Sequence, residues 1–165
     1  MKFALVITAL LVLVSPLKAQ EQRDFSSDDG IKDIEHPVSL PESVMKLLSD
    51  DLEISEVLSR ESPGSKTLPS EWVRAAMVHL ADSKETDYVV LGIGPLMGAH
   101  SVQFRVVRML PHGPVMVLRG FGDQLSVGEL RHKALRDITV TYYTGAKLWP
   151  TQFRFNGSTY VAQKK

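Results

Sequence analysis

Cysteine is absent from the 165 residues. That absence removes disulfides, thiolate catalysis, cysteine metal sites and a lipid-modified cysteine together. A domain without disulfides must hold together by packing. A membrane-length apolar run is missing too. The N-terminal run, Phe3 to Val14, is twelve residues long, and a crossing helix needs about 20. Catalytic signatures are likewise missing. No serine sits in a G-x-S-x-G elbow and no H-E-x-x-H occurs. His36, His79, His100, His112 and His132 stand far apart, without ligand spacing. No cofactor is expected.

What is present begins with an address. Lys2, the apolar run, Pro16 and then Leu17-Lys18-Ala19 before a polar segment form the layout of a secretory signal peptide. The expected cut follows Ala19. The mature chain from Gln20 then has about 146 residues, enough for one domain with a real core. The expected location is exported, periplasmic or secreted, with no membrane span after the signal is removed.

Charge sums to zero over the whole chain but divides unevenly. Residues 20–62 hold twelve acids and four bases, a net of −8, and residues 63–165 hold seven acids and thirteen bases, a net of +6. Such a division can steer partners. The bases of the second half are scattered among strands and match no nucleic-acid-binding motif, so nucleic acid is not an expected partner.

Four segments follow. Residues 1–19 are the signal peptide, 20–38 a flexible acidic leader, 39–62 a helical segment and 63–165 an antiparallel β domain. Ser39 and Glu42 stand three apart, as in a capping box, and Val44, Leu47 and Leu48 form an apolar stripe. These predict a helix near 41–49, with another turn or a strand over 52–58. Beyond Ser62-Pro63-Gly64-Ser65 the period falls to two. Residues 71–80 read either as a helix entered at Leu68-Pro69-Ser70-Glu71 or, favoured by the apolar runs on both sides of a polar loop, as a strand near 73–80; further strands are predicted near 87–93, 100–110, 115–119, 124–127, 137–144, 148–155 and 158–162. Gly120 to Asp123 breaks one of them, and Pro150 suits an edge or a bulge. Asn156-Gly157 predicts a type I′ hairpin turn. The fold class is mainly β (α+β): an antiparallel meander, sandwich-like or blade-like, with one or two short N-terminal helices.

The stretch Val89-Val90-Leu91-Gly92-Ile93-Gly94-Pro95 invites a phosphate-cradle reading. A cradle needs a helix after the glycines, and the next segment reads as a strand. Pro95 also removes a backbone donor. The glycines therefore predict a turn between strands.

Two groups are candidate contacts. Arg131, Lys133 and Arg136 form the densest basic cluster, suited to an anionic polymer or an acidic protein of the cell envelope. Tyr143 and Trp149, if outward, line a binding surface. Asp82, Glu85 and Asp87 share one polar loop and are the candidate oxygen ligands for a metal such as calcium.

With these residues in view, the stretch from Glu71 to Leu110, then Leu135 to Val140 and Phe153 to Val161, resembles a group of small exported bacterial proteins of unknown function. Their last hairpin has an F-x-F-x-G-x-x-Y-like pattern. The acidic loop is also similar to the calcium loop of FG-GAP propeller blades, although it lacks that motif's glycine. The resemblance implies a β architecture and carries no catalytic residues. The functional expectation is an exported binding or inhibitory domain, with a small periplasmic enzyme or a structural component as alternatives.

Overall fold

A computed structural model describes residues 21–26, 34–81, 85–98 and 101–163. The predicted signal peptide lies outside these residues. The elements in chain order are β1 (Asp24–Ser26), α1 (Glu42–Ser49), α2 (Leu52–Glu61), β2 (Val73–Val78), β3 (Asp87–Gly92), β4 (Val102–Leu110), β5 (Gly113–Gly122), β6 (Gln124–His132), β7 (Leu135–Thr144), β8 (Lys147–Phe155) and β9 (Tyr160–Ala162). Strands β2-β3-β4-β5 form one antiparallel sheet and β1-β6-β7-β8-β9 a second. The meander is thus folded once, between β5 and β6, into a sandwich.

Three layers result. Phe104, Val106, Leu118, Leu125 and Ile138 fill the space between the sheets. Val44, Leu48, Ile54, Tyr88, Val90 and Val107 fill a second core between β2–β5 and the helices. The middle sheet is therefore covered on both faces, and all six residues of β3 are buried. That explains the unbroken apolar run Tyr88 to Leu91, the pattern of a strand with no wet face. The following glycines make a short 3-10 turn, Gly94–Leu96, which leads through a Met97–Val102 bridge towards β4.

The fold between sheets occurs at Gly122-Asp123. A Cβ on Gly122 would lie 2.7 Å from Val140 Cγ1 and 2.8 Å from the Thr141 carbonyl oxygen, so the backbones meet too closely for any side chain. Asp123 then fixes the corner. Its carboxylate accepts the Ser101 hydroxyl at 3.0 Å and the Tyr143 N–H at 2.6 Å. Gly122→Ala should cost about 1 to 3 kcal/mol through overpacking. A denaturant midpoint equal to that of the parent chain would contradict this account of the corner.

Helix α2 is pinned to the middle sheet by ions. Arg105 and Arg119 are cross-strand partners on β4 and β5. Asp51, the N-cap of α2, sits between them. It meets Arg105 Nη2 at 3.3 Å and Arg119 Nε at 2.6 Å, and accepts the Ile54 N–H at 3.4 Å. Burial opposes its charge, but the Arg119 hydrogen bond and the two guanidinium charges outweigh it and hold the carboxyl below its ordinary value.

Several expectations need correction. The leader is not uniformly loose: Asp24–Ser26 pairs with β6, and Phe25 lies in the core. The capping box of α1 does not form, because the N-cap is Pro41, with no side-chain bond. Of the two forms expected over 52–58 the helical one is found, running from Leu52 to Glu61. Strand β5 runs on through Phe121 to Gly122, so the break comes three residues later than expected, at Asp123. Strand β6 extends to His132, past a bulge between Val127 and Arg131 that hides its period. The Asn156-Gly157 turn is wider than type I′. Phe155 pairs with Tyr160, and Asn156 Oδ1 accepts the N–H groups of Ser158 and Thr159 at 2.9 and 3.0 Å. Only Gly157 of that pair takes a positive φ, +115°.

Candidate functional site

The two groups of candidate contacts lie at opposite ends of β7. Arg136 and Tyr143 are seven residues apart, about 23 Å at roughly 3.3 Å per residue. Arg131 and Arg136 are opposite one another on β6 and β7, beside the Lys133-Ala134 turn. Arg136 is committed to structure. Its Nη1 meets Glu129 at 2.8 Å, its N–H donates to Leu80 and its carbonyl accepts the Tyr160 hydroxyl. Glu129 also faces Arg23. The Arg136 hydrogen bond, then the Arg23 charge, holds the Glu129 carboxyl below its usual range. The turn itself is strained. Lys133 and Ala134 have φ of +47° and +74°, the backbone of a type I′ turn without its usual Asn-Gly. Lys133→Asn with Ala134→Gly should raise stability by about 1 kcal/mol. A lower midpoint in thermal or urea unfolding would contradict the assignment.

The other end is aromatic. Here β7 and β8 run on beyond the sandwich as a ribbon closed by Gly145-Ala146. Tyr142 pairs with Trp149 across one face, and Tyr143 with Leu148 across the other. All four are exposed, as is Phe121, whose ring centroid is 6.4 Å from that of Tyr142. Trp149 is 56% exposed although its indole N–H donates to Thr144 Oγ1 at 2.7 Å. Tyr143 is anchored through Asp123 and donates its hydroxyl to Gln124 at 3.2 Å. The Trp149 N–H and the Tyr143 hydroxyl are already bonded, so apolar surface is most of what this end offers to a partner. Tyr142 follows Ile138 and Val140 on the inward face, but the ribbon carries it past the covering sheet.

Beside the ribbon lies a notch. Strand β9 stops at Ala162, while β8 continues alone to Lys147. Gln163 N–H donates to the Gln152 carbonyl at 2.8 Å. Alternate peptide groups face the same side, so those of Pro150 and Leu148 point to the open edge. Proline at this position leaves no donor there, which discourages addition of a further strand. Other edges are short or occupied: Val38 N–H bonds Ala75 on β2, and the Thr159 hydroxyl bonds Val117 on β5. A concavity of about 560 Å³ occupies the notch, lined by Thr139, Trp149, Thr151, Gln152, Arg154 and Gln163 among others. Behind it Asp137 is buried on the outer sheet. Its carboxylate meets His132 Nδ1 at 2.6 Å and Gln152 Nε2 at 3.1 Å, with Arg154 Nε at 3.7 Å. Neither Asp137 nor Arg154 stood out in the sequence, because their neighbours come from β6 and β8.

The metal-ligand candidates are placed differently. Asp82 lies outside the described residues. Glu85 and Asp87 both face Arg108, with Asp87 Oδ1 at 2.9 Å from Nε, and Asp87 Oδ2 accepts the Leu80 N–H at 3.0 Å. Burial pushes the Asp87 carboxyl above its ordinary value despite these bonds. Among the described residues no three His, Cys, Asp or Glu side chains gather around a metal-sized space.

No protein-family model, curated protein or solved structure matches this chain.

Proposed function

We propose that the protein is an exported, non-enzymatic binding domain of the bacterial cell envelope. It holds an anionic envelope polymer at the aromatic end of its outer sheet. The observation that carries this reading is the exposed cluster of Phe121, Tyr142 and Trp149 beside the polar notch of β8. Exposed rings offer flat apolar faces, and adjoining amides and hydroxyls fix orientation. The basic cluster at the far end supports approach more than grip. Arg136 is already paired, and charges at a rim act mainly on association rate and salt dependence.

Co-sedimentation with purified bacterial cell-wall sacculi tests this. Tyr142→Ala with Trp149→Ala should reduce capture about tenfold, the loss of one hot-spot contact. The triple Arg131, Lys133 and Arg136→Ala variant should retain capture at equilibrium. Equal capture by the aromatic double variant and the parent would overturn the reading. Export belongs to the same proposal, and mass spectrometry should find a mature N-terminus near Gln20. A full-length chain in the membrane fraction contradicts it.

One observation favours a second reading, acid–base catalysis: the His132–Asp137 pair, the arrangement in which a carboxylate orients an imidazole. Substrate turnover that disappears in His132→Gln would favour it.

A further inference from the structure

We propose that the notch beyond the end of β9 is a subsite for one carboxylate-bearing sugar unit, a uronate, of the polymer. The inference rests on the binding reading above and adds the chemistry of the unit recognised.

The notch combines acceptors and a cation, with a ring at its border. Trp149, whose side chain leaves β8 on the opposite face from Gln152 and Arg154, borders the notch with a largely exposed indole whose N–H is already used. Gln152 donates its amide to Asp137, and Gln163 donates its own to the Val161 carbonyl at 3.0 Å. Both side-chain carbonyls are left as acceptors, matched to sugar hydroxyls that donate. Thr139, which pairs with Gln152 across the same face, lines the same space. The volume lies within the range of small-ligand sites, roughly 300 to 1,000 Å³.

Arg154 decides the class. Its side chain is 41% exposed, and its Nε, out of contact with solvent, has no hydrogen-bond partner. Asp137 at 3.7 Å is too far to bond it. Among the described residues, the terminal nitrogens of Arg154 make no hydrogen bond either. A planar fork of N–H donors pairs bidentately with a carboxylate. A neutral sugar would leave it unmatched. The Asp137 charge behind the guanidinium offsets part of its field, which favours a singly charged carboxylate over a doubly charged phosphate. Pro150 argues against an extended peptide as occupant, since the bare edge lacks one of the donors a new strand would need.

Isothermal titration with trigalacturonate and its fully methyl-esterified form separates the two levels. The free acid should bind the parent chain at least about tenfold more tightly than the ester. Arg154→Met should reduce acid binding to the level of the ester and leave ester binding unchanged, with an unaltered melting midpoint. Arg154→Lys should retain part of the preference. Trp149→Ala should weaken both ligands. If acid and ester bind the parent alike, or Arg154→Met keeps the preference, the uronate subsite is wrong while polymer binding stands. If neither trimer binds, the subsite is also wrong. Sacculus capture then decides whether the aromatic end binds polymer at all.

Discussion

Replacing Phe25 with alanine is expected to destabilise the domain by about 3 to 5 kcal/mol. Phe25 is fully buried, in a segment that is otherwise polar and acidic. It pairs with Leu125 on β6, and the strand is extended by Val127 N–H donating to the Arg23 carbonyl at 2.8 Å. Removing the ring leaves a cavity between the sheets. The three-residue β1 has too few backbone bonds to close over it. Loss of β1 would also bare the edge of β6 and separate Arg23 from Glu129. Urea unfolding of Phe25→Ala, compared with the exposed neighbour variant Asp24→Ala, measures this. Equal midpoints for the two would mean that the leader is not part of the core.

Asp51→Ala should cost a similar amount, about 3 to 5 kcal/mol, because it leaves buried Arg105 without its buried counter-ion. Glu53 also meets Arg105, but from an exposed position, so it compensates only in part. The same replacement removes the N-cap of α2. Asp51→Asn keeps the cap oxygen and loses the charge, so it should fall between alanine and the parent chain. The pH dependence has a definite sign. The Asp51 carboxyl is depressed in the folded state, so its contribution is present above the ordinary value of 3.8 and is lost as pH falls below it, through the depressed value. Asp87 acts in the opposite sense. Burial raises its carboxyl, so its ionised form costs stability above that raised value, and the cost fades as pH falls through it. Asp51→Asn should therefore flatten the acid limb of the stability curve, and Asp87→Asn should steepen it. An acid limb unchanged in Asp51→Asn would contradict the clamp.

Much of this was legible in the sequence, for physical reasons that differ by element. The alternation in Val102 to Val106 and Ile138 to Tyr142 marks strands with unlike faces. The unbroken Tyr88 to Leu91 marks a strand without a wet face. Pro150 was readable as an edge residue because a missing donor is tolerated only there. Strand β6 was cut short because its bulge shifts the period, and β1 was invisible because one phenylalanine in an acidic segment carries no pattern. Of the site, Tyr143 and Trp149 showed themselves as aromatics on a hairpin. Tyr142 and Phe121 did not, because their exposure depends on where the opposing sheet stops. Arg154, His132 and Asp137 are scattered over 23 positions and meet only through the register of β6, β7 and β8.

The most direct measurement is a map of where polymer touches the domain. Amide chemical-shift changes on addition of soluble cell-wall fragments should concentrate at Phe121, Tyr142 to Gln152, Arg154 and Gln163, and should leave Arg131 to Arg136 nearly still. Shifts centred on the Lys133 turn, with the β7–β8 ribbon unmoved, would contradict the account.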